Sequence, residues 1–593
     1  MSGTGLISKI LIWRLKHMSD HTFVLIISGM TGIAAGLAAV LLKSFVHYFS
    51  HILRTTFPFS EYYFLYLILP VIGIMTAYLL TNYLFKEKVS HGVSSVLYYI
   101  SKRSSLIKKR NTISKMVTSA VTVCFGGTVG LESPIVVTGS AIGSNIARIA
   151  HLNYKRRTIM IGCGAAGAVA GIFNSPVAGL IFAAEVILAD VTIASFIPLL
   201  ISSVCASTVS RILLGDDILF SVQLTESFNT SDVVFYVMLG ILCGMVAVYF
   251  TRTNYSVERW IQSVKNPIFR ASLGGLVVGI VVFVLPPIYG EGYDAIKNLI
   301  ADKGFLLLSD NLFFSESNKI QYLLLFILLL IIVSAISSAL TVGAGGTGGV
   351  FAPSLLIGSL TGYSFSKFSS LFLTDNTLSI TNFTLVGMCG VMSGVLHAPL
   401  TAIFLIAEIS GGYTLFIPLM LVSAISYITT CAFEPHSIYT KKLIARGDLH
   451  QFNKDGEVLS QLNTNKLIEK DFMTVHVNGT LRDLVEQFKK SKRNLFPVLD
   501  DYDRLVGIVT LDDIRRIMFE QNKWDKYVIK TLMTRPEEVV YESEEMSSVI
   551  SKFERTGKFN LAIVTAEDKY LGFISRGVLF NAYRRKVIRT QKE

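Results

Sequence analysis

The 593-residue chain is 51% hydrophobic and only 16% charged, with a mean hydropathy of +0.53 and a formal net charge of +12. That balance excludes a string of ordinary soluble domains and describes an integral membrane protein. The placement of the positive charge argues against nucleic acid. Lys9, Arg14 and Lys16 precede the first apolar run, and Lys102, Arg103, Lys108, Lys109 and Arg110 fill an early loop, whereas Ile212–Val233 carries acids and no Lys or Arg. By the positive-inside rule both termini are expected in the cytoplasm of a multi-pass protein of the plasma or inner membrane. No cleavable signal peptide is expected, because the first apolar run follows a basic segment and lacks a small-residue cleavage site.

In chain order, Phe23–Leu42, Tyr63–Leu84, Val233–Phe250, Ala271–Leu285 and Tyr322–Ile336 are long enough, or nearly so, to span about 30 Å of hydrocarbon. Other apolar runs are short and broken by Gly or Pro. Irregular backbone at membrane depth survives only inside protein or beside a wet cavity, so the broken runs predict a transport pathway. Val89-Ser-His-Gly-Val-Ser94 is a polar break opening a helix from about Ser95. The six cysteines, Cys124, Cys163, Cys205, Cys243, Cys389 and Cys431, lie in apolar runs without CxxC spacing and read as packing residues; no metal site is expected.

The chain is organised around Gly126-Gly-Thr-Val-Gly-Leu-Glu-Ser-Pro134, which sets one carboxylate among glycines in an apolar region. Pro134 suits the first position of a helix running on from Ile135, which puts Glu132 at a helix N-terminus. Such an end carries roughly +0.5 charge and unpaired N–H donors, so it holds an anion, and Glu132 is itself a tethered anion. A built-in anion that competes with a free one is a gate; a capping loop in a membrane bundle is the plainer alternative.

The membrane region repeats itself. Ser175-Pro-Val-Ala-Gly-Leu-Ile-Phe-Ala-Ala-Glu185 matches Ala398-Pro-Leu-Thr-Ala-Ile-Phe-Leu-Ile-Ala-Glu408, with nine residues from proline to glutamate in both, and each follows a small-residue helix, Gly162–Gly171 or Gly387–Gly394. Upstream, Gly130-Leu-Glu-Ser-Pro134 is answered by Gly349-Val-Phe-Ala-Pro353. Two halves with matching broken helices predict a repeat-built transporter whose helix N-termini face its midplane, a geometry that selects anions. The fold class expected is therefore an all-α polytopic membrane domain over residues 1–446, with repeats near 20–210 and 230–440.

From about Gly447 the sequence reads as a soluble α/β domain, also duplicated: Met473-Thr474 recurs as Met533-Thr534, Asn494-Leu495 as Asn560-Leu561 and Gly507-Ile-Val-Thr510 as Gly572-Phe-Ile-Ser575. Each unit reads as a helix, two short strands and a second helix.

These residues resemble the CLC family of chloride channels and chloride/proton antiporters, followed by a pair of cystathionine-β-synthase (CBS) domains near 465–522 and 527–586. Gly130–Pro134 resembles the family's GxExP motif, Gly349–Pro353 its GxFxP motif, and Tyr439 its anion-coordinating tyrosine. The resemblance implies a homodimer in membrane lipid, with one anion pathway per subunit and chloride as substrate. It also implies contacts to the anion from the backbone at Val350 and Phe351, from the Tyr439 hydroxyl, from the neighbours Leu131 and Ser133 of Glu132, and from the 90–92 loop. The family's GSGIP motif stands here as Ser90-His-Gly-Val-Ser94. A gap-free count puts His91 at the anion-binding serine, and a one-residue shift restores Ser90. At the inner proton glutamate of family antiporters stands Val186, which cannot relay a proton and favours a channel; an antiporter coupled through Glu132 is the alternative. The tail resembles CBS pairs that bind an adenine nucleotide, with Thr510 and Asp513 as the hydroxyl and carboxylate of the first repeat and Val578 replacing the second repeat's carboxylate; a dimerising tail that binds no ligand is the alternative.

An enzyme is not expected, since no HExxH, GxSxG or paired-Asp motif accompanies Glu132 and no cofactor is required. A cation transporter would call for more acids than Glu132, Glu185 and Glu408, and the last two, at matching helix ends, read as structural.

Overall fold

The computed structural model of the chain describes residues 14, 17–57, 62–86, 92–188, 192–215, 228–309, 319–371, 378–448, 462 and 464–592. It divides into two compact units, 1–449 and 450–593.

The first unit is a helical assembly. Its helices are α1 Asp20–Thr56, α2 Leu65–Leu79, α3 Gly92–Lys102, α4 Asn111–Cys124, α5 Glu132–Ile149, α6 Tyr154–Phe173, α7 Pro176–Phe182, α8 Ile193–Leu214 and α9 Val233–Gln262, then α10 Pro267–Val284, α11 Tyr293–Ile300, α12 Leu306–Ser309, α13 Ile320–Ala344, α14 Phe351–Ser369, α15 Ile380–Leu396, α16 Pro399–Ile409, α17 Phe416–Phe433 and α18 Ile438–Ala445. A turn of π-helix extends α7 through Ile187. Among the described residues, seven helical stretches are long and apolar enough to cross a membrane, while 176–187, 380–396 and 399–409 are shorter apolar helices. The long ones turn residues such as Met30, Ile33 and Leu41 outward, the pattern of a helix bathed in lipid. Inside, small residues bring backbones together: a Cβ on Gly32 would stand 2.2 Å from the Ser202 carbonyl of α8.

The sequence repeat is a structural one. α6 and α15 each end on a residue in the left-handed region, Asn174 at φ +56° and His397 at φ +54°, and each is followed by a helix with proline in its first turn. The matching glutamates then exchange places. Val177 and Ala178, at the head of α7, donate their N–H groups to the Glu408 carboxylate at 3.1 and 2.8 Å. Leu400 and Thr401, at the head of α16, donate theirs to Glu185 at 3.2 and 2.8 Å, and the Thr401 hydroxyl adds a bond at 2.7 Å. Each carboxylate thus caps the other repeat's short helix, satisfying N–H groups that have no partner within their own helix.

The second unit holds two three-stranded sheets of one design. In the first, β1 Val475–His476 runs parallel to β2 Leu495–Leu499, which pairs antiparallel with β3 Leu505–Thr510; β4 Val539–Tyr541, β5 Asn560–Val564 and β6 Tyr570–Ser575 repeat the arrangement. The opening strand of each sheet, two or three residues long, is too short to show an alternating pattern, so the sequence reading of two strands per repeat undercounts by one. The repeats embrace symmetrically: Thr534 bridges to Ile508 of the first sheet, and Glu469 bridges to Phe573 of the second.

Candidate functional site

The centre of the first unit is built where the two glycine-rich loops meet. Gly130 donates its N–H to the Gly349 carbonyl at 2.9 Å and accepts the Gly349 N–H at 2.8 Å. Side chains would block the approach, since a Cβ on Gly349 would stand 2.4 Å from the Ser133 Cβ. Two further bonds lock the loops: Thr347 donates its N–H to Thr122 Oγ1 at 3.0 Å, and the Thr128 and Ser337 hydroxyls lie 2.8 Å apart. The heads of α5 and α14, one from each repeat, therefore lie side by side. α3 joins them, because Val93 donates its N–H to Ser133 Oγ at 3.1 Å. Three helix N-termini with few competing charges make a region that favours an anion.

Glu132 supplies one. It opens α5 instead of preceding it, so that Pro134 falls at the third helical position; this is tolerated because N–H groups of the first turn have no intrahelical acceptor. Glu132 is 2% exposed. The Tyr293 hydroxyl at the start of α11 donates to its Oε1 at 2.5 Å. Its Oε2 makes no hydrogen bond among the described residues. That oxygen lies over Gly130, whose Cβ would stand 1.9 Å from it.

Other expected site residues gather here. Leu131, Ser133, Val350, Phe351 and Tyr439 are all buried. Phe351 stacks on Phe173, ring centroids 5.3 Å apart. Tyr439, in α18, lies within electrostatic reach of Glu132, and its carbonyl accepts the Ser94 hydroxyl of α3 at 2.8 Å. Ser90 and His91 lie outside the described residues. Val186, in the π turn beyond α7, is half-buried against the apolar core.

Sequence reasoning missed four carboxylate contacts. Glu291 accepts the Leu131 N–H at 3.1 Å, so that a side chain from another element sits at the head of α5. Its signal was a carboxylate between two glycines, Gly290 and Gly292, both at positive φ, the same dress that marks Glu132. Glu434 accepts Arg252 Nε at 2.6 Å and Lys441 Nζ at 2.5 Å, and Glu258 pairs with Lys442. The basic run after α17 is thus tied to carboxylates on α9 and at the end of α17, and these ties anchor the helix that carries Tyr439. Among the described residues no group of three or more His, Cys, Asp or Glu is arranged to hold a metal.

In the second unit, Asp513 accepts both the N–H and the hydroxyl of Thr510 at 2.7 Å, closing the first turn of the short helix 511–514. The equivalent Ser575 donates its hydroxyl to Glu469 at 2.5 Å, and Glu469 also accepts Arg493 at 2.7 Å.

Paired broken helices with a carboxylate at their meeting point define a repeat-built membrane transport protein. A family model for the voltage gated chloride channel matches residues 72–430, and CBS domain models match 465–520 and 529–585. The chain is 25% identical over 387 residues to a putative ClcB-like chloride channel protein of Ralstonia nicotianae, covering 64% of this chain and 86% of that protein. It is 26% identical to chloride channel protein CLC-f of Arabidopsis thaliana, covering 68% of this chain and 57% of that one. Among solved structures, a slow cyanobacterial Cl−/H+ antiporter matches with a TM-score of 0.62 at 20% identity, over 72% of this chain and 99% of its own. A eukaryotic CLC transporter matches with a TM-score of 0.60 at 17% identity, over 94% and 98%. The chain belongs to the voltage gated chloride channel family and carries a C-terminal CBS pair. Anion transport across a membrane is the activity of that family.

Proposed function

We propose that the chain conducts chloride as a channel-like member of the family, gated by Glu132. The observation that carries this reading is the junction of Gly130 with Gly349, which brings the heads of α5 and α14 together with the Glu132 carboxylate between them. Deprotonated, Glu132 is the anion held there; protonated, it yields the place to chloride. Val350, Phe351, Leu131, Ser133 and the Tyr439 hydroxyl line the route, with Ser90 or His91 completing it. The apolar Val186 supports a passive channel. Proton-coupled exchange through Glu132 is the second reading, supported by a titratable carboxyl buried where the two helix heads meet.

The transport unit is residues 1–446 and the tail 447–593. The protein works as a homodimer in the plasma or inner membrane, both termini cytoplasmic. An adenine nucleotide at Thr510 and Asp513 is the regulator the tail would take.

The test is the reversal potential of reconstituted protein under opposed chloride and proton gradients. A channel follows chloride alone, and a shift with the proton gradient transfers the assignment to exchange.

A further inference from the structure

Glu291 and Tyr293 stand two residues apart at the entry to α11 and reach the same place from opposite ends. Tyr293 holds the Glu132 carboxylate at 2.5 Å, and Glu291 holds the N–H of Leu131, the residue before it, at 3.1 Å. The Leu131 N–H is one of the donors that the head of α5 offers an anion, and a carboxylate 160 residues away in sequence has taken it. The second oxygen of Glu132 is buried over Gly130, the residue before Leu131.

The geometry points to Glu291 as a second carboxylate of the gate: it occupies the head of α5 beside Glu132 and, when charged, opposes a charge on Glu132. The inference rests on the reading of Glu132 as the gate. Two carboxylates brought to the head of one helix in a medium of low dielectric cannot both ionise without a cost that depends steeply on their separation. Protonation of either makes room for the other's charge or for a permeating anion, so the pair titrates as a unit.

The charged and titratable groups facing Glu291 are Glu132 of α5, Tyr293 of α11, Lys43 of α1 and Cys124 of α4. Burial pushes the Glu291 carboxyl up and the charge of Glu132 adds to this; the Leu131 N–H and Lys43, the cation among these groups, offset it in part, and the Lys43 Nζ also donates to the Ile172 carbonyl at 3.5 Å. Tyr289, two residues before Glu291, donates its hydroxyl to the Cys124 carbonyl at 3.0 Å. The Arg54–Asp294 pair beyond it, 3.0 Å apart, is exposed.

The experiment measures chloride flux against external pH for the full-length protein in liposomes and reads the pH of half-maximal flux. Removing the charge beside Glu132 makes Glu132 harder to protonate, so in Glu291→Gln the midpoint falls by about 1 pH unit. Glu291→Asp, which keeps the carboxylate, returns it towards wild type. In a Glu132→Gln background, already insensitive to pH, Glu291→Gln adds no shift. If Glu291 merely braces the loop, Glu291→Gln changes the amount of flux and leaves the midpoint in place, which overturns the inference. Should Glu291→Gln fail to fold, Lys43→Gln carries the test through Glu291: without its cation Glu291 charges less readily, so the midpoint falls as it does in Glu291→Gln, and an unmoved midpoint overturns the inference. A Glu132→Gln protein that keeps the wild-type pH profile instead defeats the gate reading itself.

Discussion

Gly130 lies beneath the carboxylate of Glu132, two residues along the chain, at a distance that leaves no room for a methyl group: a Cβ there would stand 1.9 Å from Oε2. The glycine serves the side chain as much as the backbone. It lets one loop pair with Gly349 while its own glutamate folds back over it.

Gly130→Ala should therefore push Glu132 out of its place and imitate Glu132→Gln. Both variants are expected to conduct at pH 7.5 ten- to a hundredfold above wild type, with little dependence on pH or voltage. That range corresponds to losing a hydrogen bond to a charged group of about 1.5–3 kcal/mol. Flux assays between about pH 5 and 8 check this, and a Gly130→Ala protein with the wild-type profile would show that Glu132 sits there without the glycine's help.

Tyr439→Phe should weaken chloride binding by about 1 kcal/mol, the usual net contribution of one hydrogen bond, with thermal stability unchanged. Glu434→Gln, which loosens the ion pairs with Arg252 and Lys441, should weaken it as well, through the position of the helix and not through contact. Titration calorimetry with chloride distinguishes these from inert substitutions.

Glu185→Ala and Glu408→Ala each uncover the head of a short helix in the opposite repeat. Each should cost about 1–2 kcal/mol of stability, read as a lower melting temperature in detergent. The chloride/nitrate selectivity of the surviving protein should not change. A selectivity change in either variant would place that carboxylate in the pathway.

In the second unit the pH dependence has a definite sign. Burial alone would push the Glu544 carboxyl up; Lys552, the Ser548 hydroxyl and the Tyr541 N–H outweigh it and hold the carboxyl below its ordinary value of 4.5. A depressed carboxyl stabilises the fold above about pH 4.5 and ceases to do so as the pH falls through the folded value. Glu544→Gln should therefore raise hydrogen exchange of the 539–564 segment at pH 7 by about fivefold, corresponding to about 1 kcal/mol, with the difference from wild type closing in acid. A difference that widens in acid would contradict the ion pair with Lys552.

The glycine-flanked Glu132, the answering Gly349–Pro353 and the equal proline-to-glutamate spacings were legible because each is local: a loop carries its own glycines, a broken helix its own proline. The paired loops and the capping use of Glu185 and Glu408 agree with that reading. The start of α5 was placed two or three residues late, since proline marks the first turn of a helix without marking which of its positions it fills. Glu291 went unremarked although its glycines resemble those around Glu132, for no second copy in the chain drew attention to it.

By itself the sequence determined that the chain crosses a membrane, that it is built twice over and that one carboxylate stands at a helix head, because hydrophobic length, internal repetition and glycine–proline punctuation are properties of neighbouring residues. Only the tertiary structure decided which partners those groups take. Glu185 caps a helix beginning at Pro399, Glu408 one beginning at Pro176, Tyr293 reaches Glu132 and Glu291 reaches Leu131. Hydrogen bonds between residues 160 or more apart leave no period in the sequence; they exist only once the two repeats have closed on each other and excluded the water that would otherwise satisfy the same groups.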